Sequence, residues 1–578
     1  MAVMTFPFTL EDSAEAHGGD PFACTLYKML PKPMQETTKE NVHLLEYLHM
    51  VPVNEVGIPE YYKQLSSKLR DKKKLNLIYP VEGGLYVHII QDPEGGRSFY
   101  IAIEPKLSEG LDEGELSRQI EAALLDYAME FEGVETPEER QEVLENIIGK
   151  ICKTKAGGGG PLGFLKKLFK GKAGKGIRLT ERDLKVAKYI VVRDKLGMGI
   201  LEPMIRDTNI EDISCSGLGS LFIEHKVFKS LRTSTEFSTE EELDKFVVRL
   251  SERIKKPVTF RQPIVDASLP DGSRINIVYG SDVSRRGSNF TIRKFTDTPI
   301  SLLQLCEFGS MNFMMGAYLS LALEHGMNIF VSGETASGKT TLLNAMTVFI
   351  EPDAKIITIE DTAEVQVPHP NWIREVTRPP KPGEEGTGVG MFDLLRAALR
   401  QRPDEIIIGE IRGEEGLIAF QAMQTGHAVM ATFHASTVEK LIQRLTGSPI
   451  LVPKTYIENL NIIVIQSQVK LPNGKLGRRA MSINEIIGYD TATDSFSFTE
   501  VFRWDPVKDE FEFTGDMNSY LLEDKIAPMR GIPPHKKKQI YSLLKRRARI
   551  LEKLSQNGLS DYNEFYKVIS KAQKEGIF

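Results

Sequence analysis

Between residues 299 and 489, short wholly apolar runs alternate with stretches of helical periodicity. Residues 329–331, the isoleucines Ile356, Ile357 and Ile359, the run Ile406, Ile407 and Ile408, and residues 428–433 read as strands buried on both faces. Buried strands separated by helices predict a parallel sheet covered by helices, an α/β domain. Upstream the pattern changes. Residues 85–90 and 98–104 alternate like a hairpin around the turn sequence DPEGG, and residues 116–131 and 137–151 have helical spacing, the second opening on Pro137 beside two glutamates. Farther along, Thr180 caps a helix carrying Leu184, Ala187, Ile190 and Val191 on one face. Strands follow at 212–216 and 221–224, a helix at 239–253, and strands at 274–279 and 289–295. Beyond residue 490, Phe496/Phe498 and Phe511/Phe513 alternate as in antiparallel strands, and a basic helical stretch covers 534–553.

The pattern divides the chain. Residues 1–40 lack periodicity and read as a flexible arm; 41–152 form an N-terminal α+β module. Residues 153–177 are a basic glycine-rich linker, and 178–297 a second α+β domain. Residues 298–490 are the α/β domain and 491–578 a tail of strands and helices. The linker is the sharpest seam: KTKAGGGGPLGFLKKLFKGKAGKGIR holds eight bases, no acid and four consecutive glycines. Glycine-rich chain cannot repay its ordering entropy by burial. Its FLKKLFK segment has the makings of a short amphipathic contact with anionic lipid, but a solvated linker is the leading reading.

Composition narrows the function without naming it. In 578 residues, 79 acids outnumber 73 bases for a net charge of −6, which argues against a dedicated duplex-DNA binder and leaves room for a local basic patch. No apolar run approaches 18 residues and the N-terminus lacks a basic, apolar leader, so a cytoplasmic chain is expected. Four widely spaced cysteines offer no metal spacing and fit free thiols in a reducing compartment.

The chemistry concentrates in NIFVSGETASGKTTL. An apolar strand enters Gly333-Glu334-Thr335-Ala336-Ser337-Gly338-Lys339-Thr340, the pattern GxxxxGK[ST], and a helix follows. Glycines let backbone N–H groups face phosphate oxygens, and the helix N-terminus adds its dipole. Lys339 is placed to reach β- and γ-phosphates, and the Thr340 hydroxyl to hold Mg²⁺. Two later strands end in acids: KIITIEDTAE, with Glu360, Asp361 and Glu364, and DEIIIGEIRG, with Glu410 and Arg412. Ligands of such sheets bind at the carboxyl edge, where one acid holds the metal and another orients the attacking water. His427 and His434 flank the strand 428–433, and no third ligand for a metal stands near.

GETASGKTT, ITIEDTAE, RPDEIIIGEIRG and TGHAVMATFHAST, in this order, resemble the Walker A, Asp box, Walker B and His box of the type II/IV secretion ATPase superfamily, whose members drive secretion, type IV pili and the archaellum. LPDGSR and FTIRKF resemble that family's N-terminal domain. The resemblance spans roughly 178–490, and GETASGKTT, HPNWIREVTR and VFRWDPVKDEF are most similar to the archaeal branch and its archaellum motor ATPase. It implies a RecA-like P-loop ATPase domain preceded by α+β domains and assembled as a homo-hexameric ring. It implies ATP and Mg²⁺ as ligands, held by Gly333 through Thr341 (including Glu334, Thr335, Ala336, Ser337, Gly338, Lys339 and Thr340), with Thr340 and Glu410 on the metal. Glu364 corresponds to the catalytic glutamate, Glu410 to the Walker B acid, and His427 and His434 to the His box. Arg274 and Arg293 fall on arginines that turn toward the phosphates as domains close. The four-cysteine zinc insertion of some bacterial members is missing. The implied role is an ATP-hydrolysing ring motor of archaellum assembly or rotation, peripheral at the cytoplasmic face and partnered by a polytopic membrane platform protein, with no nucleic acid. An archaeal pilus or type II-like secretion ATPase is the second reading. A DNA-translocating or helicase-type hexamer is the third, and the acidic total speaks against it.

Overall fold

The computed structural model describes residues 3–10, 22, 24–66, 69, 72, 74–108, 110–131, 133–134, 136–154, 177–269, 271–295, 299–378, 387–472, 474 and 476–578. The chain forms two compact units, residues 1–295 and 296–578.

The first unit is built on one sheet of eleven strands among the described residues. Its longer strands are β1 (Asn76–Val81), β2 (Leu85–Ile90), β3 (Phe99–Ile103), β4 (Ile210–Cys215), β5 (Gly219–His225), β6 (Lys229–Phe237), β7 (Ile264–Ser268), β8 (Arg274–Val278) and β9 (Asn289–Arg293). They lie in the order β7-β8-β9-β4-β5-β6-β3-β2-β1. The sequence suggests two separate α+β modules here, yet β3 pairs parallel with β6, Phe99 opposite Arg232 and Tyr100 opposite Thr233. The sheet therefore runs unbroken from one to the other. Buried polar groups cross the same junction: the hydroxyls of Tyr79 and Tyr100 both donate to Asp207, at 2.5 and 3.2 Å. Such a junction excludes water from its polar groups only because each finds a partner.

Two further differences concern the boundaries. Residues 25–40, expected as an arm, contain helices Thr25–Met29 and Lys32–Glu40, and Tyr27, Met34 and the intervening Leu30 are buried in one cluster with Leu44, Leu45 and Leu48. Helices of five and nine residues span at most about two and a half turns, too little chain to show a clear period. The basic linker itself, from 155 to 176, lies outside the described residues. Its flanks, Cys152–Thr154 and Ile177–Leu179, pair as a two-stranded parallel ribbon, Lys153 opposite Arg178. The seam thus leaves and re-enters the fold at one place.

The second unit carries a nine-stranded sheet among the described residues. The strands are β10 (Ile329–Ser332), β11 (Ile356–Glu360), β12 (Trp372–Val376), β13 (Glu405–Ile411), β14 (Ala428–Phe433), β15 (Ile462–Lys470), β16 (Leu476–Asp490), β17 (Ser495–Asp505) and β18 (Glu510–Glu512). The order is β12-β11-β13-β14-β10-β15-β16-β17-β18. The first six are mutually parallel, and β15 to β18 continue as an antiparallel meander. This is the α/β arrangement that the apolar runs predict. All residues of β10, β11 and β14 are buried, as central parallel strands covered on both faces must be. The stretch expected as a tail is part of this core. Helix Ile540–Gln556 buries Leu544 and Leu551, and helix Tyr562–Lys574 buries Phe565 and Ile569. Phe565 and Phe578 pack on Phe349, each with ring centres 6.0 Å away. No described helix is long and apolar enough to cross a membrane.

Candidate functional site

Strand β10 delivers the chain to Gly333 between two parallel neighbours. The position tolerates no side chain: a Cβ there would sit 2.0 Å from the Gln466 carbonyl oxygen on β15. The loop then turns through Ala336 at φ 60° and Gly338 at φ 93°. Helix Lys339–Met346 starts with Gly338 at its N-cap and no side-chain cap, so its first N–H groups are left for a ligand. Lys339 Nζ meanwhile donates to the carbonyls of Gly333 and Glu334, both at 3.0 Å. Burial lowers its pKa, and the charges of Glu410 and Glu364 act against that effect. The two carboxylates thus lie within electrostatic reach of the lysine. Ser337 Oγ is buried without a hydrogen-bond partner among the described residues. A loop lined with N–H groups, a folded-back lysine and an orphaned hydroxyl fit a phosphate chain. Thr340 in the first helical turn and Glu410 supply hard oxygen donors that fit Mg²⁺.

The acids behave differently from one another. Glu360, the last residue of β11, points into the fold. Its Oε1 accepts the backbone N–H groups of Glu364 at 2.9 Å and Val365 at 2.7 Å, while Oε2 has no partner among the described residues. Burial pushes its pKa up to about 7. Glu360 therefore shapes the turn that presents Glu364, which is half-buried. Asn344 ties that turn to the helix after the loop: its Nδ2 donates to the Glu364 carbonyl at 3.1 Å and its Oδ1 accepts from Gln366 N–H at 3.1 Å.

Glu410 stands where the register of β13 against β14 shifts, between Ile408 and Ile411. A bulge re-aims a side chain, and here Gly409 lets β13 pass closely over Glu360, whose Cγ would lie 3.1 Å from an added Cβ. Arg412 donates from Nε to Glu410 at 3.0 Å and reaches Asp361 at 3.6 Å. Asp361, Thr377, Arg378, Glu410, Arg412 and Glu415 line an open cleft of about 510 Å³.

The two histidines part company. His434 follows the carboxyl end of β14, where Gly333 N–H donates to the Phe433 carbonyl at 3.2 Å and Ser332 Oγ to the Ala435 carbonyl at 2.7 Å. It stands beside the phosphate loop. His427 precedes the amino end of the same strand, hydrogen-bonded to Thr425 Oγ1 at 3.1 Å. Six strand residues put it roughly 20 Å away, at the opposite edge. Its expected place in the nucleotide site of its own chain is corrected accordingly.

Arg274 and Arg293 belong to the first unit. They are exposed and face each other across β8 and β9, and Arg293 in turn pairs with Asp212 on β4. Like charges directly opposite repel, and Asp212 sets an acid beside Arg293 in the same row.

Sequence reasoning overlooked the hairpin of β15 and β16. Besides the Gln466 carbonyl against Gly333, Arg478 Nε donates to the Ala336 carbonyl at 3.1 Å. Its neighbour Arg479 is buried and forks onto Asp509 at 2.7 and 2.8 Å. A tandem RR in a polar strand carries no spacing signal that would have pointed to the loop 142 positions earlier.

A RecA-like α/β domain whose glycine-rich loop joins a buried parallel strand to a helix, with acids at the same sheet edge, defines the class. A family model described as "Type II/IV secretion system protein" matches residues 194–475. The protein MJ0900 of Methanocaldococcus jannaschii, itself uncharacterised, is 44% identical over 544 residues, covering 94% of this chain and 97% of that one. The chain belongs to the type II/IV secretion system protein family. VirB11, a type IV secretion system protein of Bartonella henselae, is 31% identical over 226 residues, 33% of this chain and 63% of that protein. Among solved structures, the Legionella pneumophila ATPase DotB is matched over 66% of this chain and 95% of its own at 19% identity, with a TM-score of 0.38.

Proposed function

We propose that this protein hydrolyses ATP and, as a homo-hexameric ring, powers assembly or rotation of an archaellum at the cytoplasmic face of the membrane. The observation that carries the ATPase reading is that the strands leading to Lys339, Glu364 and Glu410 run parallel and end at one edge of the sheet, with Asn344 of the loop's helix tied to the Glu364 carbonyl. In this reading the loop N–H groups and Lys339 bind the triphosphate, the lysine exchanging its two carbonyl partners for phosphate oxygens. Thr340 and Glu410 would hold Mg²⁺, which when bound neutralises charge developing on the transferred group. Glu364, fixed by Glu360 and Asn344, accepts a hydrogen bond from the attacking water and orients it. His434 adjoins the loop and responds to its contents. Arg274 and Arg293, as the likeness of LPDGSR and FTIRKF to the family's N-terminal domain implies, would supply positive charge to nucleotide phosphates.

The choice of filament rests on the likeness of GETASGKTT, HPNWIREVTR and VFRWDPVKDEF to archaellum motors. A pilus or secretion role shares all the chemistry and is told apart by the platform protein that a pull-down recovers. The ATPase reading is tested with purified Glu364→Gln. Turnover should fall about 10²-fold, the loss typical of a removed transition-state group, with ATP binding retained. Near-normal steady-state turnover would reject the role of Glu364.

A further inference from the structure

The phosphate loop is gripped from outside by one hairpin. At its start the Gln466 carbonyl abuts Gly333 so closely that only glycine fits. At its crown Arg478 Nε donates to the Ala336 carbonyl, and the Arg478 Cδ lies where a Cβ on Gly338 would be 3.1 Å away. The hairpin is itself braced. Arg479 is held by Asp509 and by the Phe308 carbonyl, and Gln466 Nε2 donates to buried Ser310 Oγ at 3.0 Å. The grip has a consequence for the inner side of the loop. In a trans peptide the C=O and N–H point in opposite directions. With the Ala336 carbonyl held outward by Arg478, the Ser337 N–H faces inward, across the loop toward the Glu334 carbonyl at 3.4 Å. That is a long, weak bond, and one a phosphate oxygen would replace with profit. Ala336, at φ 60°, sits in a conformation that a side chain disfavours, so the loop needs an external hold to keep this shape. Two buried polar atoms under the loop, Ser337 Oγ and Gln466 Oε1, have no partner among the described residues, so the floor of the loop is poised to take up new bonds.

We propose that Arg478 is a positioning residue of the phosphate loop: by holding the Ala336 carbonyl it turns the Ser337 N–H into the cradle and sets affinity for nucleotide phosphates. The proposal rests on the nucleotide-binding reading above and concerns binding more than the hydrolytic step. It also makes the hairpin the element that feels whether the loop is filled.

The test compares Arg478→Met, which keeps the stem and loses the donor, with Arg478→Lys, which keeps a charged donor. Affinity for Mg-ADP is measured by calorimetry on the full chain, together with KM and kcat for ATP and melting without nucleotide. The methionine variant should weaken Mg-ADP binding and raise KM about tenfold, with kcat changed less than about twofold, as expected for one charge-assisted hydrogen bond. The lysine variant should lie within about threefold of wild type. Unchanged affinity in Arg478→Met, a loss confined to kcat, a lysine variant as weak as the methionine one, or a matching drop in nucleotide-free melting would overturn the assignment. If wild-type protein itself fails to bind Mg-ADP, the nucleotide reading falls and this proposal with it. If wild type binds and Arg478→Met binds equally, only the role of Arg478 is lost.

Discussion

Replacing Gly333 with alanine adds one methyl group at the tightest point of the loop. The new Cβ would stand 2.0 Å from the Gln466 carbonyl oxygen and 2.7 Å from Ser337 Oγ. The serine can rotate. The carbonyl cannot, because β15 is locked to β10 in parallel register, Ser332 opposite Ile465, and to β16 on its other side. Ordinary contact begins at about 3.4 Å, so one backbone must retreat by roughly 1.4 Å. Overpacking of this kind costs about 1–3 kcal/mol. In a unit of this size that is a melting shift of about 2–5 °C. The functional loss should be larger, because a displacement of about 1 Å at a reacting site costs on the order of 10²-fold in rate. Gly333→Ala is therefore expected to melt a few degrees lower and to lose about 10²-fold in ATP turnover, measured by phosphate release at saturating Mg-ATP. Gly488→Ala is the control. It lies in the same sheet, a Cβ there meets nothing within 4 Å, and stability should stay within about 0.5 kcal/mol. Turnover within twofold of wild type in Gly333→Ala, at unchanged melting, would refute the reasoning.

Glu360 binds its proton more tightly in the folded chain than in the unfolded one, since burial raises its pKa to about 7 from 4.5. Its contribution to stability is full below 4.5 and declines as pH rises to about 7. Glu360→Gln should flatten the pH dependence of melting across that window and melt above wild type at pH 8; parallel curves would show that the carboxyl is not the cause. Phe565→Ala should destabilise the second unit by about 3–5 kcal/mol in urea titration, because the side chain is fully buried against Phe349. A midpoint equal to wild type would mean that the last helix is not part of that core. Arg274→Ala should lose turnover while binding Mg-ADP as wild type does. Loss of binding and folding together would assign the arginine to structure instead.

What could be read from the sequence was local. The loop, its strand and its helix are contiguous, so spacing alone brings Gly333, Lys339 and Thr340 together. The acids Glu360 and Glu410 end apolar strands, and the carboxyl-edge rule assigns them to one side of the sheet. The same rule separates the histidines: six residues of β14 intervene, so His427 and His434 belong to opposite edges. Reading them as one box hid a distinction that strand length contains. Other features depend on pairings between distant segments, which no local pattern encodes. Phe99 meets Arg232 across a sheet that merges two apparent modules, and Cys152 meets Ile177 at the base of the basic seam. The grip of β15 and β16 on the loop is of this second kind. A phosphate loop is a strained path with most of its N–H groups reserved for a ligand, so it cannot stabilise its own shape from within. Its holders must come from elsewhere in the chain, and here they are a backbone carbonyl of Gln466 and one arginine of a tandem pair.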